Sequence, residues 1–400
     1  MPVLILDANQ RSALAATRSL GTKGIHVVVA DETEKTLAGT SKYCRESLVY
    51  PSPYENPEAF IATLKKDCVE HAIKVIFPMT EITTSLVLKH RHEFKEVTLP
   101  FVSFETFDGL TDKWKLFELA QKLDIPTPTT YFVSANQDLR QIYPRLQFPV
   151  VLKPYRSRIW SHGRWIQASV KYASSVQELK NRVAEHEYLN QHPFLIQEYI
   201  RGQGQGIFAL YDRSQPVALF AHKRLREKPP SGGVSVLSES IELNPFMCNL
   251  ARRILENANW HGIAMVEFKV SDEGMPYLME VNARFWGSLQ LAIDSGVDFP
   301  WLLYRLASGE PLKSSNGYKI GVKNRWLLGD CAQLYKLLLG NETSPPLTFA
   351  EKSRALVQFL NFFEGNTRYE VNRWNDLSPF LFELKHYSGS KTSKPQGKAE

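Results

Sequence analysis

The segment from residue 263 to residue 284 most constrains how this chain can fold. Two apolar, β-prone runs flank a turn-forming stretch at residues 271–275, and this arrangement predicts a β-hairpin. A register that closes symmetrically on the turn places Glu267 opposite Glu280. Directly opposed carboxylates repel, so a folded protein retains such a pair where a cation lies between them. The hairpin therefore predicts either a divalent-cation site or two solvated surface glutamates.

The same register divides the hairpin into two faces, because side chains alternate along a strand. We expect the face that carries the two glutamates to include Ile263, Met265, Leu278 and Asn282 as well. We expect the other face to pack in the core, and it comprises Val266, Phe268, Val270, Tyr277, Met279 and Val281. Carboxylate and amide oxygens suit Mg²⁺. Arg284 follows one alternation later and could reach an anion beside the metal.

Glu267 and the run Glu280-Val281-Asn282-Ala283-Arg284 resemble the metal-binding signature of the ATP-grasp superfamily. That superfamily includes biotin carboxylase, carbamoyl-phosphate synthetase and D-alanine–D-alanine ligase. The resemblance implies that Glu267, Glu280 and Asn282 hold two Mg²⁺ ions, with Mn²⁺ as an alternative, against the phosphates of ATP. It also implies that Arg284 contacts phosphate or an acyl-phosphate intermediate.

Size and composition limit the classes of protein to consider. The chain has 400 residues, 43% of them hydrophobic, which is enough for about two or three domains. Its net charge of +6 is spread along the chain, whereas nucleic-acid binding usually needs a concentrated basic patch. The four cysteines form neither a CxxC pair nor a zinc spacing, so we expect free thiols. With no signal peptide and no membrane span in the sequence, we expect a cytoplasmic protein.

The first residues predict a strand–helix–strand unit at residues 3–7, 12–21 and 27–31, and hence a parallel sheet. The unit lacks the GxGxxG phosphate fingerprint. It resembles the pre-ATP-grasp domain, in which residues at strand ends contact the acceptor substrate. By that resemblance the candidates for such contacts are Asp7, Asn9 and Glu81, with helix capping and turn formation as the alternative.

Two lysines are candidates for binding the nucleotide. A helix capped at residues 111–115 follows a predicted domain boundary at residues 107–110. The resemblance makes Lys113 the first nucleotide lysine, with Lys115 as runner-up and a plain surface lysine left open. Lys153 ends an apolar strand, where a buried charge is costly unless an anion such as an ATP phosphate pairs with it. The resemblance makes Lys153 the second nucleotide lysine.

The segment between the two candidate lysines and the hairpin contains further parts of the predicted site. Residues 155–165 occupy the place of the family's glycine-rich flap, but they include one glycine and several bulky residues. The run Gln197-Glu198-Tyr199-Ile200 resembles the hinge that receives adenine, where recognition is mostly by the backbone. After it, we expect a tight turn at Gly202, Gly204 and Gly206.

A predicted strand near residues 216–226 adds positive charge. Alternation places His222, Arg224 and Arg226 on one face, beside a flexible loop with Gly232 and Gly233. These cations suit a developing phosphoryl charge or a carboxylate substrate, and an ordinary basic strand edge is the alternative. Farther on, we expect a strand at residues 325–328, and helices at residues 332–339 and 349–363.

These patterns together predict a mixed α/β and α+β fold. We expect a Rossmann-like pre-ATP-grasp domain at residues 1–108 and a two-lobed ATP-grasp domain at residues 109–310 that binds nucleotide between its lobes. A C-terminal region at residues 311–387 would pack on this core, and residues 388–400 would form a disordered tail.

The resemblance implies an ATP-dependent ligase that joins a carboxylate to an amine through an acyl phosphate and releases ADP and phosphate. Arg284, with Arg224, would steady the carboxylate and the acyl phosphate. We expect small-molecule substrates, an amino acid or a peptide-like compound, and neither a nucleic-acid partner nor a membrane span; a homodimer is left open. The alternative is a nucleotide-binding regulatory or degenerate protein without ligase chemistry.

Overall fold

The structure is a computed structural model that describes residues 1–161, 164–229, 232–312, 317–339, 348–361 and 365–387. It contains three main β-sheets. The chain passes from a small parallel sheet, through an antiparallel sheet, to a long mixed sheet that the last described residues complete.

The first sheet is parallel and has the strand order β3-β2-β1-β4. Its strands are β1 (Val3–Ile5), β2 (Val27–Asp31), β3 (Glu46–Val49) and β4 (Val75–Phe77). The accompanying helices are α1 (Arg11–Gly21), α2 (Pro57–Glu70), α3 (Glu81–Lys89), α4 (Phe104–Thr111) and α5 (Lys113–Lys122). Every residue of β1 and β2 is buried, as expected for parallel strands covered on both faces. The predicted strand–helix–strand unit is confirmed.

Residues 107–110, where we predict a domain boundary, lie inside α4. Phe107 and Leu110 are buried in the main core, so the helical period decides the structure of this tract despite Gly109.

The second sheet is antiparallel and has the order β5-β10-β6-β9. Its strands are β5 (Thr130–Val133), β6 (Val150–Pro154), β9 (Lys171–Ala173) and β10 (Phe194–Glu198). Between β6 and β9, a separate hairpin of β7 (Arg158–Ser161) and β8 (Arg164–Gln167) occupies the predicted flap; His162 and Gly163 are outside the described residues. Two helices, α6 (Val176–Glu185) and α7 (Glu187–Gln191), connect β9 to β10.

The third sheet has seven strands in the order β15-β14-β11-β12-β13-β16-β17, and only the last pair is parallel. The strands are β11 (Gly202–Asp212), β12 (Gln215–Lys228), β13 (Val234–Ser240), β14 (Gly262–Ser271), β15 (Pro276–Asn282), β16 (Lys323–Arg325) and β17 (Thr367–Tyr369). The helices are α8 (Pro245–Asn257), α9 (Leu289–Ser295), α10 (Phe299–Ala307), α11 (Leu327–Leu339), α12 (Phe349–Leu360) and α13 (Ser378–Tyr387).

Two expectations for this part of the chain are wrong. Leu327 and Leu328 begin helix α11 rather than continuing a strand. Gly202, Gly204 and Gly206 do not form a turn, because they lie inside β11. A Cβ at Gly202 would lie 2.0 Å from the carbonyl oxygen of Val270 on β14, so close strand approach, rather than chain reversal, requires this glycine. Residues 388–400, predicted to be disordered, are outside the described residues.

The C-terminal residues contact the N-terminal sheet as well as the long sheet. The guanidinium of Arg18 on α1 donates to Asp376 Oδ2 at 2.8 Å, and to the backbone carbonyls of Glu370 and Val371. Arg11 forms an ion pair with Glu370. These buried contacts hold α1 against the segment that follows β17. Among the described helices, none has the length and apolarity needed to cross a membrane.

Candidate active site

The hairpin of β14 and β15 has the predicted register at its open end. Glu267 lies opposite Glu280, and Met265 lies opposite Asn282. Beyond Glu267 the register shifts, so that Phe268 pairs with Leu278. A bulge adds one residue to one strand and reverses the alternation beyond it.

This bulge overturns part of the predicted division into faces. Met279, which we expected in the core, lines a cleft beside Glu280. Leu278, which we expected beside the glutamates, is fully buried in the core, and so is Ile263. The residues of the hairpin that line the cleft are therefore Met265, Glu267, Lys269, Met279, Glu280 and Asn282.

The cleft that these residues line has a volume of about 430 Å³. Its walls come from the second and third sheets, with α1, α5 and the residues after β15 adding to them. The predicted site residues that line it are Lys113, Lys153, Glu198, Tyr199, Ile200, Arg224, Glu267, Glu280, Asn282 and Arg284. The structure thus brings together residues that are up to about 170 positions apart in the sequence.

The Glu267 side chain is 14% exposed and forms an ion pair with Arg224. The same guanidinium donates to Glu227 Oε1 at 2.9 Å and to the carbonyl oxygen of Gly233 at 3.2 Å. Burial raises the pKa of Glu267 to about 7, and the facing carboxylate of Glu280 also raises it, although Arg224 acts in the opposite direction. Arg224 is therefore the group that neutralises this carboxylate in the structure.

Glu280 has a different set of neighbours. Lys113 Nζ lies 3.4 Å from its Oε2, and Asn282 Nδ2 donates to its Oε1 at 2.8 Å. Burial alone would raise the pKa of Glu280, but Lys113, Asn282 and Arg224 together lower it to about 2. Burial would lower the pKa of Lys113, but Glu280 and then Glu81 raise it. The two opposed carboxylates are therefore each held beside a cation.

Lys153 has no comparable partner. Its Nζ lies 3.5 Å from Met279 Sδ, and within the described residues it pairs with no carboxylate. Burial, and then the charge of Lys113, lower the pKa of Lys153 to about 8. An ammonium group that is buried beside a thioether and a second cation is positioned for an anion that comes from outside the protein.

Gly204 explains how Arg224 reaches Glu267 from two strands away. A Cβ at Gly204 would lie 3.2 Å from Arg224 Cδ and 3.3 Å from Glu227 Oε1. The missing side chain on β11 leaves a path for the arginine across that strand.

The other two cations predicted on the same face as Arg224 lie elsewhere. His222 Nε2 is 2.7 Å from Ser288 Oγ, and its ring stacks on Phe208. Arg226 donates to both oxygens of Asp330 at 2.7 and 2.5 Å. The register of β12 against β13 shifts on either side of Arg226, which separates it from Arg224. Only Arg224 of the three lines the cleft.

Arg284 lines the cleft one alternation beyond Asn282. It donates to the carbonyl oxygen of Phe285 at 2.8 Å and to Asn282 Oδ1 at 3.1 Å. In the part of the chain that the structure describes, no carboxylate pairs with it, so its charge is available to an anion in the cleft.

At the predicted hinge, Glu198, Tyr199 and Ile200 line the cleft, whereas the Gln197 side chain does not. Gln197 is buried and donates through Nε2 to Thr130 Oγ1 at 2.9 Å. Its side chain lies among the strands of the second sheet, so only its backbone could face a ligand.

The remaining predicted candidates lie outside the cleft lining. Lys115 pairs with Asp108 at 2.9 Å, and its side chain is 55% exposed. Asp7 accepts hydrogen bonds from the backbone N–H groups of Met79 and Thr80, which is the structural role left open for it. The other two, Asn9 and Glu81, are likewise absent from the lining.

Sequence reasoning missed several residues of the lining. They are Arg11, Pro128, Tyr172, Glu227, Lys269, Trp286 and Ser288. Lys269 follows Glu267 by two positions on the same strand, so strand alternation could have identified it. No local pattern indicates Arg11, because it reaches the cleft from the start of α1.

Comparison with known proteins gives consistent sequence matches. Residues 190–327 match the family described as ATP-grasp in the biosynthetic pathway with Ter operon. D-aspartate ligase of Enterococcus faecium is 23% identical over 214 residues, which are 50% of this chain and 50% of that protein. The carbamoyl phosphate synthase large chain of a Thermoanaerobacter species is 27% identical over 229 residues, covering 55% of this chain and 20% of that protein. The chain thus spans half or less of the length of these two relatives.

Solved structures give a similar result. Biotin carboxylase from Campylobacter jejuni aligns with a TM-score of 0.64 and 16% identity, covering 80% of this chain and 74% of that one. L-amino acid ligase from Bacillus licheniformis aligns with a TM-score of 0.61 and 17% identity, covering 78% and 75%.

Proposed function

This chain has the ATP-grasp fold, and we propose that it joins a carboxylate to an amine at the cost of ATP, through an acyl phosphate. The fold class expected from the sequence is confirmed. The observation that carries the proposal is the row of Glu267, Glu280 and Asn282 on one wall of the cleft. Lys153 lines the same cleft and pairs with no carboxylate in the part of the chain that the structure describes. For the domains we propose the division at residues 1–108, 109–310 and 311–387.

The residues of this row fit a divalent cation. Two partly buried carboxylates and one amide supply the oxygen ligands that Mg²⁺ takes in proteins. Arg224 and Lys113 each place a positive charge beside one of these carboxylates, which supports the proposal that the pair is a cation-binding site. We propose that Glu267, Glu280 and Asn282 hold two Mg²⁺ ions, for which Mn²⁺ could substitute. When bound, Mg²⁺ offsets the charge of the ATP phosphates and of the phosphoryl group during transfer.

We assign the phosphates of ATP to Lys113 and Lys153. Lys153 is partly buried and pairs with no carboxylate among the described residues, so a phosphate oxygen would replace a costly unpaired charge with an ion pair. Lys113 sits at the start of α5, where Asp112 caps the helix, and a small shift from Glu280 would direct its ammonium group to a phosphate.

We assign the base of ATP to the end of β10. Tyr199 and Ile200 supply apolar walls where this strand ends, and we propose that the backbone there contacts the base. Tyr172 lies edge-on to Tyr199, with ring centroids 6.0 Å apart, and extends this wall. Such a site combines apolar enclosure with a few polar contacts, as small-ligand sites usually do.

The chemistry requires positioned charges rather than a nucleophilic side chain. An oxygen of the substrate carboxylate attacks the γ-phosphorus, and the bond from that phosphorus to ADP breaks. The amine nitrogen then attacks the acyl carbon, phosphate leaves, and the nitrogen loses a proton. Arg284, which pairs with no carboxylate among the described residues, would hold the carboxylate, and Arg224, which Glu227 also holds in place, would stabilise the phosphoryl charge.

ADP release tests this proposal. The full chain is assayed with ATP and Mg²⁺ against a panel of carboxylates paired with amines, beside Glu280→Gln and the control Glu185→Gln, which alters an exposed ion pair with Arg182. We expect at least one pair to stimulate ADP release in the wild type and the control, and a loss of about 100-fold or more in Glu280→Gln. ATP binding without stimulated release would instead support a nucleotide-binding protein without ligase chemistry.

A further inference from the structure

Among the described residues, Arg11 is the one arginine of the N-terminal sheet and its accompanying helices that lines the cleft. It is the first residue of α1, and its side chain is 12% exposed. Its guanidinium carbon lies 4.0 Å above the centre of the Trp326 ring, and Nη1 donates to the buried carboxylate of Glu370. Stacking fixes the plane of the guanidinium and the ion pair fixes its rotation, so the group is held in one orientation.

One edge of this guanidinium is left for a ligand. Glu370 is its only hydrogen-bond acceptor in the described part of the chain. Its Nη2 lies against Gly287, where an added Cβ would be 3.2 Å away. Gly287 follows Trp286 and precedes Ser288, and all three line the cleft with Arg11. The absence of a side chain at residue 287 therefore leaves this edge facing the cleft.

The charge at this wall suits a carboxylate better than a phosphate. Glu370 already offsets the charge of Arg11, which leaves little positive charge at this guanidinium for a multiply charged phosphate. The planar guanidinium edge that remains matches the two oxygens of a single carboxylate. The cations assigned to the ATP phosphates, Lys113 and Lys153, come from α5 and β6 on other parts of the wall.

We infer that Arg11 binds a carboxylate of the substrate other than the one that is activated. This inference rests on the proposed function, because it concerns the same cleft. It assigns the substrate to compounds that keep a free carboxylate through the reaction, namely an α-amino acid as the amine, or a dicarboxylic acid as the acid. Trp326 and Glu370 contribute by orienting Arg11, which gives the C-terminal region a positioning role in the site.

Steady-state ADP release with matched compounds tests the inference. ADP release by the full chain is measured with a first group of compounds, the α-amino acids and the C3 to C6 dicarboxylates. It is also measured with a second group, the matching amines and monocarboxylates that lack the additional carboxylate. We expect only the first group to stimulate ADP release at low concentration. In Arg11→Gln, we expect the KM for such a compound to rise about tenfold or more, while the KM for ATP stays within about twofold.

Two further variants separate binding from folding, because Arg11→Gln also removes the partner of buried Glu370. Gly287→Ala changes no charge, but its added methyl group would displace Arg11 Nη2. We therefore expect this variant to raise the KM for the same substrate. Arg11→Lys keeps the charge without the planar edge, and we expect an intermediate KM. The control Arg305→Gln alters a pair with Glu310 outside the cleft and should change neither KM.

A failure of the Arg11 assignment can be distinguished from a failure of the ligase proposal. If monocarboxylates and simple amines stimulate ADP release as well as the first group, or if Arg11→Gln and Gly287→Ala leave the substrate KM unchanged, the assignment of Arg11 is wrong and the ligase proposal stands. If no compound stimulates ADP release although MgATP raises the melting temperature of the chain, the ligase proposal fails and the assignment of Arg11 fails with it.

Discussion

Arg224 forms an ion pair with Glu267 at the place where a divalent cation would neutralise the same carboxylate. We expect the two cations to compete for Glu267, because like charges placed at one carboxylate repel each other. Glu227 and the carbonyl oxygen of Gly233 already contact Arg224, so the arginine keeps partners when Glu267 is taken by the metal.

Removing this competitor should tighten metal binding in the absence of nucleotide. For Arg224→Gln we expect the Kd of Mn²⁺, used as the probe, to fall about tenfold, which corresponds to about 1.4 kcal/mol. Calorimetric titration of the nucleotide-free chain measures this change, with Lys115→Gln as the control because Lys115 lies outside the cleft lining. Weaker Mn²⁺ binding in Arg224→Gln would contradict the competition between the two cations.

Lys153 should reduce the stability of the chain without ligand. Its ammonium group is buried beside Met279 and has no carboxylate partner in the residues described. We expect Lys153→Met to raise the melting temperature of the ligand-free chain by about 2–4 °C, or about 1 kcal/mol, because the unpaired charge is removed. The same variant should lose the rise in melting temperature that MgATP gives the wild type. A lower melting temperature in the ligand-free variant would show that Lys153 is paired in solution.

Much of the fold could be predicted because short-range patterns determine it. The apolar runs of β1 and β2 and the turn before β15 are local, and they gave the parallel unit and the Glu267–Glu280 register. The bulge beside Met279 was not predictable, because one extra residue leaves no trace in the composition of a strand.

Other parts of the site depend on contacts between distant residues. The three glycines of β11 predict a turn. In the structure, the missing side chain at Gly204 leaves space for the side chain of Arg224 on the next strand. Arg11 reaches the cleft because Trp326 and Glu370 hold it there, and 359 residues separate it from Glu370. Sequence patterns record neither contact, so these residues could be identified only from the folded chain.

Gly204→Ala tests the path of Arg224 without changing any charge. The added methyl would lie 3.2 Å from Arg224 Cδ, so the arginine must shift and its contact with Glu267 should weaken. We expect the rate of ADP release to fall about tenfold while the melting temperature changes by less than about 2 °C. The control Gly109→Ala adds a methyl within α4 where nothing lies within 4 Å, and it should leave the rate unchanged. Equal rates in Gly204→Ala and wild type would show that Arg224 need not cross β11 at this point.

His222 should make the folded chain sensitive to mild acid. Burial, and then the charge of Arg224, lower the pKa of its imidazole from 6.5 to about 3. Between these values the unfolded chain binds one proton more than the folded chain does. The stability from the neutral ring is therefore complete above about pH 6.5 and is lost as the pH falls, by up to about 1.4 kcal/mol per pH unit.

The His222→Gln variant measures this contribution, because glutamine is neutral over the whole range and keeps a polar group near Ser288 Oγ. Denaturant unfolding at about pH 7.5 and about pH 5 gives the loss of free energy for each chain, and we expect the loss to be smaller in the variant by about 1–2 kcal/mol. His92→Gln changes an exposed histidine and should behave as the wild type does. Equal losses in His222→Gln and wild type would mean that the imidazole can take up a proton within the fold, which its burial against Phe208 argues against.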